Sequence, residues 1–375
     1  MKRRRLLAAL GAGCAHCAAQ AQGSTWLAPS RFSKPEPGSD EGGLWAMMDR
    51  EETRLRRSPF VLRDAPLRDY LQDMACKLGG EHCADVRVYP VRTPFFNASM
   101  APNGMMQIWS GLLLRVDNEA QLAAVVGHEI GHYMQRHTLE RLRDVKARSA
   151  FGMFMGMFGV VGLVGQMASL AGAFGFSRDQ EREADRIGLE LMRKAGYDTR
   201  EASKVWEHLR AEAAAAHEPA KSSPMFATHP PSDERSATLA QLAMADSGGF
   251  VGAAELSGRL AGLQQMMLED ELRRGQHGET LVLLDRLIAR SPQRSDLLYF
   301  RGETRRQRAT GDDTDRALQD FEQALQLGQE PAQLHRALGY LYQAREQPQR
   351  ARQAFGRYVE LAPEAADAAL IKSFL

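Results

Sequence analysis

The stretch His128-Glu129-Ile130-Gly131-His132 lies within an apolar run, residues 121–133, that has the pattern of a helix. Residues four apart in a helix lie one above the other on the same face. His128 and His132 can therefore offer two imidazole nitrogens to one metal ion, with Glu129 beside them as a base for a water molecule. The spacing predicts a zinc site with Glu129 as the catalytic base, and it requires a third ligand elsewhere in the chain.

The third ligand is predicted in a second polar helix, residues 177–194. Glu181 and Asp185 are four apart and share one face of this helix. We expect Glu181 to bind the metal, with water in the fourth position, and Asp185 to accept the free ring N–H of a ligand histidine. Glu183 fits a solvated face of the same helix. This combination of motifs is typical of a gluzincin metallopeptidase.

A metzincin site is excluded, because it needs a glycine and a third histidine where Gln135 and Thr138 stand. His137 is nine residues after His128, which is the opposite side of a continuous helix. We therefore interpret His137 as a structural or surface residue.

The composition is that of an ordinary globular protein, with 44% hydrophobic and 25% charged residues. The formal net charge is +1, and four of the positive charges lie in residues 2–5. Without them 44 basic residues (48 minus 4) face 47 acidic ones, so the remainder carries a net charge of −3. Nothing in this balance favours nucleic acid as a partner.

The N-terminus has the pattern of an export signal. Residues 2–5 are basic, and a short apolar stretch ends at Ala19-Gln20-Ala21, which has the pattern of a cleavage site. We therefore predict a signal peptide over residues 1–21 and a periplasmic protein. A lipoprotein anchored through Cys14 or Cys17 is the alternative.

Removal of this signal leaves two cysteines, Cys76 and Cys83. In an exported protein, two cysteines this close in sequence predict a disulfide that closes a small loop. A pair of buried free thiols is the alternative. A zinc site at these residues is not expected, because no other cysteine remains.

Short strands are predicted at residues 86–91 and 105–110, separated by a turn-rich connection that includes residues 97–104. The remaining pattern is helical, so the predicted fold class is mainly α with a small β-sheet. As an edge strand, residues 105–110 could pair with an extended substrate backbone. The alternative is an inner strand. We assign residues 22–43 to a flexible leader and residues 44–245 to the zinc metallopeptidase domain.

Residues 149–177 form a run of 29 positions without a charge. Its length suits a membrane span, but a single crossing would separate the two metal-binding helices by a bilayer. We interpret the run as a helical hairpin or lid that covers the site or makes peripheral contact with a membrane. An ordinary buried hairpin and an integral membrane peptidase are the alternatives.

The pattern changes in the last third of the chain, where residues 246–270 are predicted as a linker and connecting helix. In residues 271–375, Phe321 and Phe355 are 34 residues apart, the period of tetratricopeptide repeats. Such arrays present a concave binding groove. The alternative is that the repeats only pack on the metallopeptidase domain.

Four stretches resemble motifs of the HtpX, Oma-type and BepA-type zinc peptidases. Residues 128–132 resemble their H-E-I-G-H, and residues 177–188 resemble their S-R-x-x-E-x-E-A-D-R-x-G. Residues 228–231 with Arg235 resemble their T-H-P-P-x-x-x-R. Residues 97–104 resemble their N-A-F-x-x-P-G-G, with departures at Ser99 and Asn103. The resemblance covers most of the predicted metallopeptidase domain.

The resemblance implies that His229 lies near the zinc. There it would be a fourth ligand that keeps the enzyme latent, a donor to the transition-state oxyanion, or a loop histidine with neither role. Arg235 would orient the site or bind the substrate backbone. The export signal and the repeats are most similar to the periplasmic BepA type, which implies quality control of outer-membrane proteins.

We therefore predict an exported endopeptidase, with Zn²⁺ as its cofactor, that hydrolyses misfolded or stalled proteins of the envelope and outer membrane. Its partners would be unfolded or misassembled protein substrates and, through the repeats, the outer-membrane assembly machinery. The alternative function is a chaperone or adaptor that acts mainly through the repeats, with little proteolysis.

Overall fold

The computed structural model describes residues 34–146, 175–216, 224–229 and 233–375. The predicted signal peptide, Cys14, Cys17 and nearly all of the uncharged run lie outside these residues. Within them, no helix combines the length and the apolar character that crossing a bilayer requires.

Helices form most of the described chain, and a small sheet lies near its start. The strands are β1 (Arg87–Val91), β2 (Ala98–Met100) and β3 (Met105–Trp109), and a short 3-10 turn spans Gly80–Ala84. The helices are α1 (Asp40–Arg57), α2 (Ala65–Gly79), α3 (Ser110–Arg115), α4 (Glu119–Met134), α5 (His137–Lys146), α6 (Arg178–Lys194), α7 (Glu201–Ala214), α8 (Pro224–Thr228), α9 (Asp233–Ala243), α10 (Ala253–Leu260), α11 (Gln264–Arg274), α12 (His277–Arg290), α13 (Ser295–Arg308), α14 (Asp313–Leu327), α15 (Ala332–Ala344), α16 (Pro348–Leu361) and α17 (Ala368–Lys372). The predicted fold class, mainly α with a small sheet, is confirmed.

The strand β3 is the centre of the sheet. It pairs in parallel with β1, with Arg87 opposite Met105, and antiparallel with β2, with Ala98 opposite Ile108. All five residues of β3 are buried. For residues 105–110 the inner-strand interpretation is therefore correct, and the edge-strand interpretation is wrong. The two outer strands are β1 and β2. The strand β2 has only three residues, too few for an alternating pattern to be visible in the sequence.

Both faces of β3 are covered, so its side chains enter two apolar clusters. Met106 and Ile108 belong to the main core, which includes Ile130 of α4 and continues into the helices that follow the peptidase domain. Met105 and Trp109 belong to a smaller cluster with side chains of α1. The sheet thus supports the helix α4 on one face and α1 on the other.

The helices α4 and α6 cross at very short range because glycines lie at their contact. A Cβ added to Gly131 would lie 3.0 Å from the carbonyl oxygen of Ala184, and one added to Gly188 would lie 3.0 Å from the backbone nitrogen of His128. Backbone atoms cannot move aside as a flexible side chain can. The close crossing brings the acidic face of α6 alongside the histidines of α4.

Two helical hairpins beyond the peptidase domain pack in the same manner. A Cβ on Gly302 of α13 would lie 2.6 Å from the ring of Phe321 on α14, and one on Gly339 of α15 would lie 2.3 Å from the ring of Phe355 on α16. The longer turn between α13 and α14 contains Ala309 in a left-handed conformation, with φ of 49°. The 34-residue period of the sequence agrees with the matching glycine–phenylalanine contacts of the two hairpins. The assignment to the tetratricopeptide class stays a prediction.

A network of buried charges, which we call the junction network, joins α11 to the peptidase domain. Arg115, at the end of α3, donates from Nε to Glu212 of α7 at 2.6 Å and from Nη2 to Glu271 of α11 at 2.8 Å. All three residues are buried. Arg92 donates to both carboxylate oxygens of Asp270, also on α11, at 2.7 and 2.9 Å. The helix α11 is therefore fixed to the peptidase domain by ion pairs.

The two cysteines predicted to pair lie close together. Cys76 is near the end of α2 and Cys83 is in the 3-10 turn, with their Cα atoms 4.3 Å apart and their sulfur atoms within bonding distance. Oxidation of the pair depends on export, and it stays a prediction.

Candidate metal centre

The helix α4 is buried, and polar contacts fix its first turn. Asn118 caps the helix, its side chain accepting from the backbone N–H of Gln121 at 2.9 Å. Glu119 accepts hydrogen bonds from the hydroxyls of Tyr70 and Tyr197. With its start held in this way, the helix presents its two histidines to the interior of the domain.

Three histidines and one carboxylate converge in a single place. Nε2 of His128 lies 3.0 Å from Nε2 of His132 and 3.1 Å from Nδ1 of His229. Oε1 of Glu181 lies 2.8 Å from that Nδ1 and 3.3 Å from Nε2 of His132. One ligand atom from each of the four buried residues lies within 4.8 Å of all the others. The structure thus brings the three predicted ligands together and adds His229 to them.

These four side chains fit a zinc ion by their chemistry. Imidazole nitrogens and a carboxylate oxygen are donors that zinc accepts in tetrahedral sites. Burial holds the pKa of His132 well below its ordinary value, so this ring is neutral. Neutral rings whose lone pairs face one another need a cation or a proton between them. A divalent metal meets that need for several nitrogens at once.

Glu129 lies next to the same group. Its Oε1 atom is 3.6 Å from Nε2 of His229 and accepts no hydrogen bond from the described part of the chain. Burial raises the pKa of its carboxyl above the ordinary value, against the opposing effects of His229 and His128. A basic carboxylate with a free oxygen atom beside a metal group suits proton transfer.

Asp185 and Arg235 contact the outer side of the converging side chains. Oδ1 of Asp185 lies 2.9 Å from Nδ1 of His128. Arg235 of α9 donates to both oxygens of Asp185, from Nε at 2.7 Å and from Nη2 at 2.6 Å, and its Nη1 forms an ion pair with Oε2 of Glu181 at 2.8 Å. The guanidinium lies over the ring of Trp206, with Cζ 3.7 Å from the ring centroid. Burial disfavours ionised Asp185, but Arg235 and His128 hold the pKa of its carboxyl below the ordinary value.

Glu181 and His229 form a buried pair of opposite charge. Burial disfavours the carboxylate of Glu181, but His229, His132 and Arg235 together hold its pKa well below the ordinary value. Burial also disfavours a charged His229, yet the carboxylates of Glu181 and Glu129 raise its pKa above the ordinary value. Glu181 is therefore in the ionised form that binds a metal.

His137 also lies beside the group, which corrects the expectation that a continuous helix carries it to the opposite side. Its Nδ1 atom is 2.8 Å from Nδ1 of His132, and its side chain is only 2% exposed. The surface interpretation is therefore wrong. The physical reason is a break: α4 ends at Met134, and Arg136 adopts a left-handed conformation with φ of 57° before α5 begins. No glycine at this position signals the break in the sequence.

Two aromatic residues of the site carry no sequence signal of their role. The ring of Phe176 stacks on that of His132, with centroids 4.0 Å apart, and lies 5.1 Å from that of His229. Its backbone N–H donates to the carbonyl of Thr228 at 3.1 Å, so it also touches the loop that carries His229. Trp206, on α7, lies under the guanidinium of Arg235. Aromatic residues in apolar patterns are ordinarily core residues, and only the fold shows which ones face a site.

Comparison with known proteins agrees with this geometry. Residues 62–243 match the family model described as Peptidase family M48. The matched region contains α4, α6 and the four converging side chains. These residues therefore form a zinc-dependent metallopeptidase domain of family M48.

Comparison with individual proteins shows which zinc peptidases this chain resembles. The mitochondrial metalloendopeptidase OMA1 of Arabidopsis thaliana is 36% identical over 154 residues, which cover 41% of this chain and 31% of the relative. The beta-barrel assembly-enhancing proteases of Yersinia pestis and Escherichia coli strain K12 are 29% and 28% identical over 237 residues, covering 56% of this chain and 47% of each relative. The chain thus spans less than half the length of these relatives. The predicted resemblance to Oma-type and BepA-type zinc peptidases is confirmed.

Proposed function

We propose that this chain is an exported zinc endopeptidase that hydrolyses misfolded or stalled proteins of the cell envelope. The observation that carries the proposal is the buried group of His128, His132 and Glu181, with Glu129 beside it. The M48 match and relatives named metalloendopeptidase support peptide hydrolysis. Relatives named beta-barrel assembly-enhancing protease support a substrate class among outer-membrane proteins.

In this mechanism His128, His132 and Glu181 would hold the zinc. Zinc bound there supplies a Lewis acid that polarises a peptide carbonyl and lowers the pKa of water. Glu129 takes the proton of the attacking water and delivers it to the leaving amine. Because burial raises the pKa of Glu129, this carboxylate is a stronger base than an exposed glutamate.

The charges of the site support a divalent ion. With His229 neutral, as a histidine that binds a metal has to be, Glu129, Glu181 and Asp185 contribute three negative charges and Arg235 one positive charge, and all four residues are buried. A 2+ ion brings the sum to zero, and a buried site tolerates ionised groups only when they are compensated. This balance, with the contacts of Arg235 to Asp185 and Glu181, favours an orienting role for Arg235 over contact with the substrate.

His229 takes the position that a latent state requires. Its Nδ1 atom contacts both His128 and Glu181, so with a metal held there this nitrogen would take the place of a water molecule. An oxyanion donor has to face the reacting carbonyl instead of the ligands. These contacts favour the latch over the other two roles, and the contact of Phe176 with Thr228 helps to hold the loop in place.

The strand β2 provides a surface for an extended substrate. It is one of the two outer strands of the sheet, and it packs against α4. An outer strand binds an extended chain through backbone hydrogen bonds that do not depend on the substrate's sequence. Binding of this kind suits unfolded proteins of varied sequence.

A groove between the C-terminal helices suits docking of a protein partner. The groove has a volume of about 710 Å³. Its lining includes Glu269, Tyr299, Glu303, Arg336, Tyr358 and Asp367. Tyrosine and arginine are side chains that protein interfaces favour. We assign this groove to docking on the outer-membrane assembly machinery.

Export places this activity in the periplasm. The pattern of residues 1–21 and the proximity of Cys76 and Cys83 support that location, because disulfides persist in oxidising compartments. Lipid attachment at Cys14 or Cys17 is the alternative form of the exported chain.

The substitution Glu129→Gln tests the enzymatic proposal. We expect the purified full-length variant to keep the wild-type zinc content and to hydrolyse casein roughly 10²- to 10⁴-fold more slowly, because it lacks the proton-transferring carboxylate. Glu207→Gln, an exposed position on α7, is the matched control and should behave as the wild type. Undiminished cleavage by Glu129→Gln would show that the base is misassigned.

The second candidate function, a chaperone or adaptor with little proteolysis, is favoured by the groove and by the place of His229. The same variant separates the two functions in cells that lack the chain. Restoration of outer-membrane protein assembly by Glu129→Gln at wild-type level would support the adaptor. Failure to restore assembly, with normal amounts of the variant, would support the peptidase.

A further inference from the structure

The outer ring nitrogens of the two α4 histidines face different groups. Nδ1 of His128 lies 2.9 Å from the carboxylate of Asp185. Nδ1 of His132 lies 2.8 Å from Nδ1 of His137, and both rings are buried. The second ring nitrogen of His137, Nε2, lies 3.4 Å from Oε2 of Glu183. His128 therefore contacts a carboxylate of α6 directly. His132 is connected to another carboxylate of α6 through the imidazole of His137.

The positions of the protons follow from this geometry once His132 binds a metal through Nε2. That nitrogen then carries no proton, so the neutral ring carries its proton on Nδ1. Only one of two facing Nδ1 atoms can hold the proton between them, so His132 donates and His137 accepts. Neutral His137 then carries its own proton on Nε2, where it faces the carboxylate of Glu183.

We propose that His137 and Glu183 are positioning residues that orient His132 for metal binding. A histidine ligand whose outer N–H is held by an acceptor has a fixed tautomer and ring orientation and a more basic metal-binding nitrogen. Here the chain Glu183–His137–His132 does for one ligand what Asp185 does for the other. The inference rests on the proposed role of His132 as a zinc ligand.

The backbone supports a specific role for His137. Arg136 adopts a left-handed conformation, which is unfavourable for a residue other than glycine and persists only where the surroundings stabilise it. The backbone N–H groups of Leu139 and Glu140 both donate to the carbonyl of Arg136, which starts α5 at this turn. The consequence of the strained residue is that His137 folds back onto His132.

The placement of Glu183 on α6 supports the same conclusion. This helix already carries Glu181 and Asp185. Its position relative to α4 is set by the converging side chains and by the close contact at Gly131 and Gly188. The Glu183 side chain is 38% exposed, which is compatible with an acceptor at the end of a chain of hydrogen bonds. Its exposure also means that its loss should cost less than the loss of His137.

Zinc affinity of the metal-free full-length protein, measured by competition with a chromogenic chelator, tests the proposal. We expect His137→Leu, which fills the space but accepts no hydrogen bond, to bind zinc roughly 10- to 100-fold more weakly. His137→Asn offers an amide oxygen near the place of Nδ1 and should recover most of the affinity. Glu183→Gln should weaken binding by roughly two- to tenfold, and Glu190→Gln, exposed on the same helix, should leave it unchanged.

Two further measurements make the result decisive. Urea unfolding of the metal-free variants reports the fold, and the visible absorption of the cobalt-loaded protein should shift in His137→Leu and not in Glu190→Gln. If His137→Leu and Glu183→Gln both bind zinc as the wild type does, the positioning role is overturned. If His137→Leu is unfolded, Glu183→Gln decides the question by the same criterion. If His132→Ala still binds zinc with wild-type affinity, the ligand assignment in the proposed function fails, not the positioning role alone.

Discussion

In the proposed function His229 connects two chemical states of the site, because it takes the place that we propose for the reactive water molecule. Its Nδ1 atom contacts two of the proposed ligands, and its Nε2 atom lies 3.6 Å from the proposed base, Glu129. In this proposal one side chain would exclude the water molecule and would also lie against the residue that transfers protons. Release of a single loop would free both groups together.

The substitution His229→Ala should therefore activate the enzyme. If the open state is populated to about a tenth in the wild type, full release raises caseinolysis by roughly tenfold. Zinc affinity should fall in the same variant, because one nitrogen donor is lost. An oxyanion donor would give the opposite sign, with activity falling roughly 10²- to 10³-fold. His208→Ala, a histidine of α7 outside the group, serves as the control.

Sequence spacing predicts that the side chains of His128, His132 and Glu181 converge, and it does so for a physical reason. His128 with His132, and Glu181 with Asp185, are pairs within one helix, where the period of 3.6 residues fixes relative positions. His137 escapes prediction because its position depends on a left-handed residue that no glycine announces. Trp206 escapes it because its contact joins two helices whose mutual placement has no local pattern.

At the scale of elements, the site depends on how closely α4 and α6 approach. Gly131 of the H-E-I-G-H stretch has a function that metal spacing alone does not reveal, since it and Gly188 let two backbones touch. Sequence patterns predict both helices, but they give no distance between them. The strand β2 is a further example, because three residues in a turn-rich stretch do not display an alternating pattern.

The substitution Gly188→Ala tests the crossing. Helix propensity alone predicts that alanine stabilises a helix by roughly 1 kcal/mol relative to glycine. Here we expect the opposite sign, a loss of roughly 1–3 kcal/mol in the free energy of unfolding, because the new Cβ meets backbone atoms of α4. Zinc affinity should fall as well, because Glu181 moves away from the histidines.

Gly258→Ala is the matched control for this experiment. Gly258 lies in α10, and a Cβ added there meets nothing within 4 Å, so propensity should dominate and the protein should become slightly more stable. Chemical denaturation with and without a zinc chelator measures both effects. Equal stabilisation by the two alanines would show that the crossing has room for a side chain.

At the scale of the whole molecule, the junction network holds the peptidase domain against the C-terminal helices. The repeat period predicts the hairpins from residue spacing. It does not predict that Arg115 meets Glu271, because the two residues are 156 positions apart and neither belongs to a motif. Long-range ion pairs of this kind become visible only in the folded structure.

Replacing Arg115 by Met should destabilise the protein strongly. The substitution leaves Glu212 and Glu271 buried without their main partner, which costs roughly 3–5 kcal/mol in comparable cases. The same replacement at Arg316, whose ion pair with Asp312 is exposed, should change stability by less than about 1 kcal/mol. Urea unfolding compares the two variants, and equal midpoints would mean that the junction network contributes nothing special to stability.

The junction network also has a thermodynamic consequence. Arg115 lies three residues before the residue that caps α4, and the same guanidinium binds α11, whose neighbouring residues line the groove. A groove ligand that displaces α11 would therefore alter the free energy of the metal-binding helix. Linkage is reciprocal, so zinc would change the affinity for that ligand by the same factor by which the ligand changes the affinity for zinc.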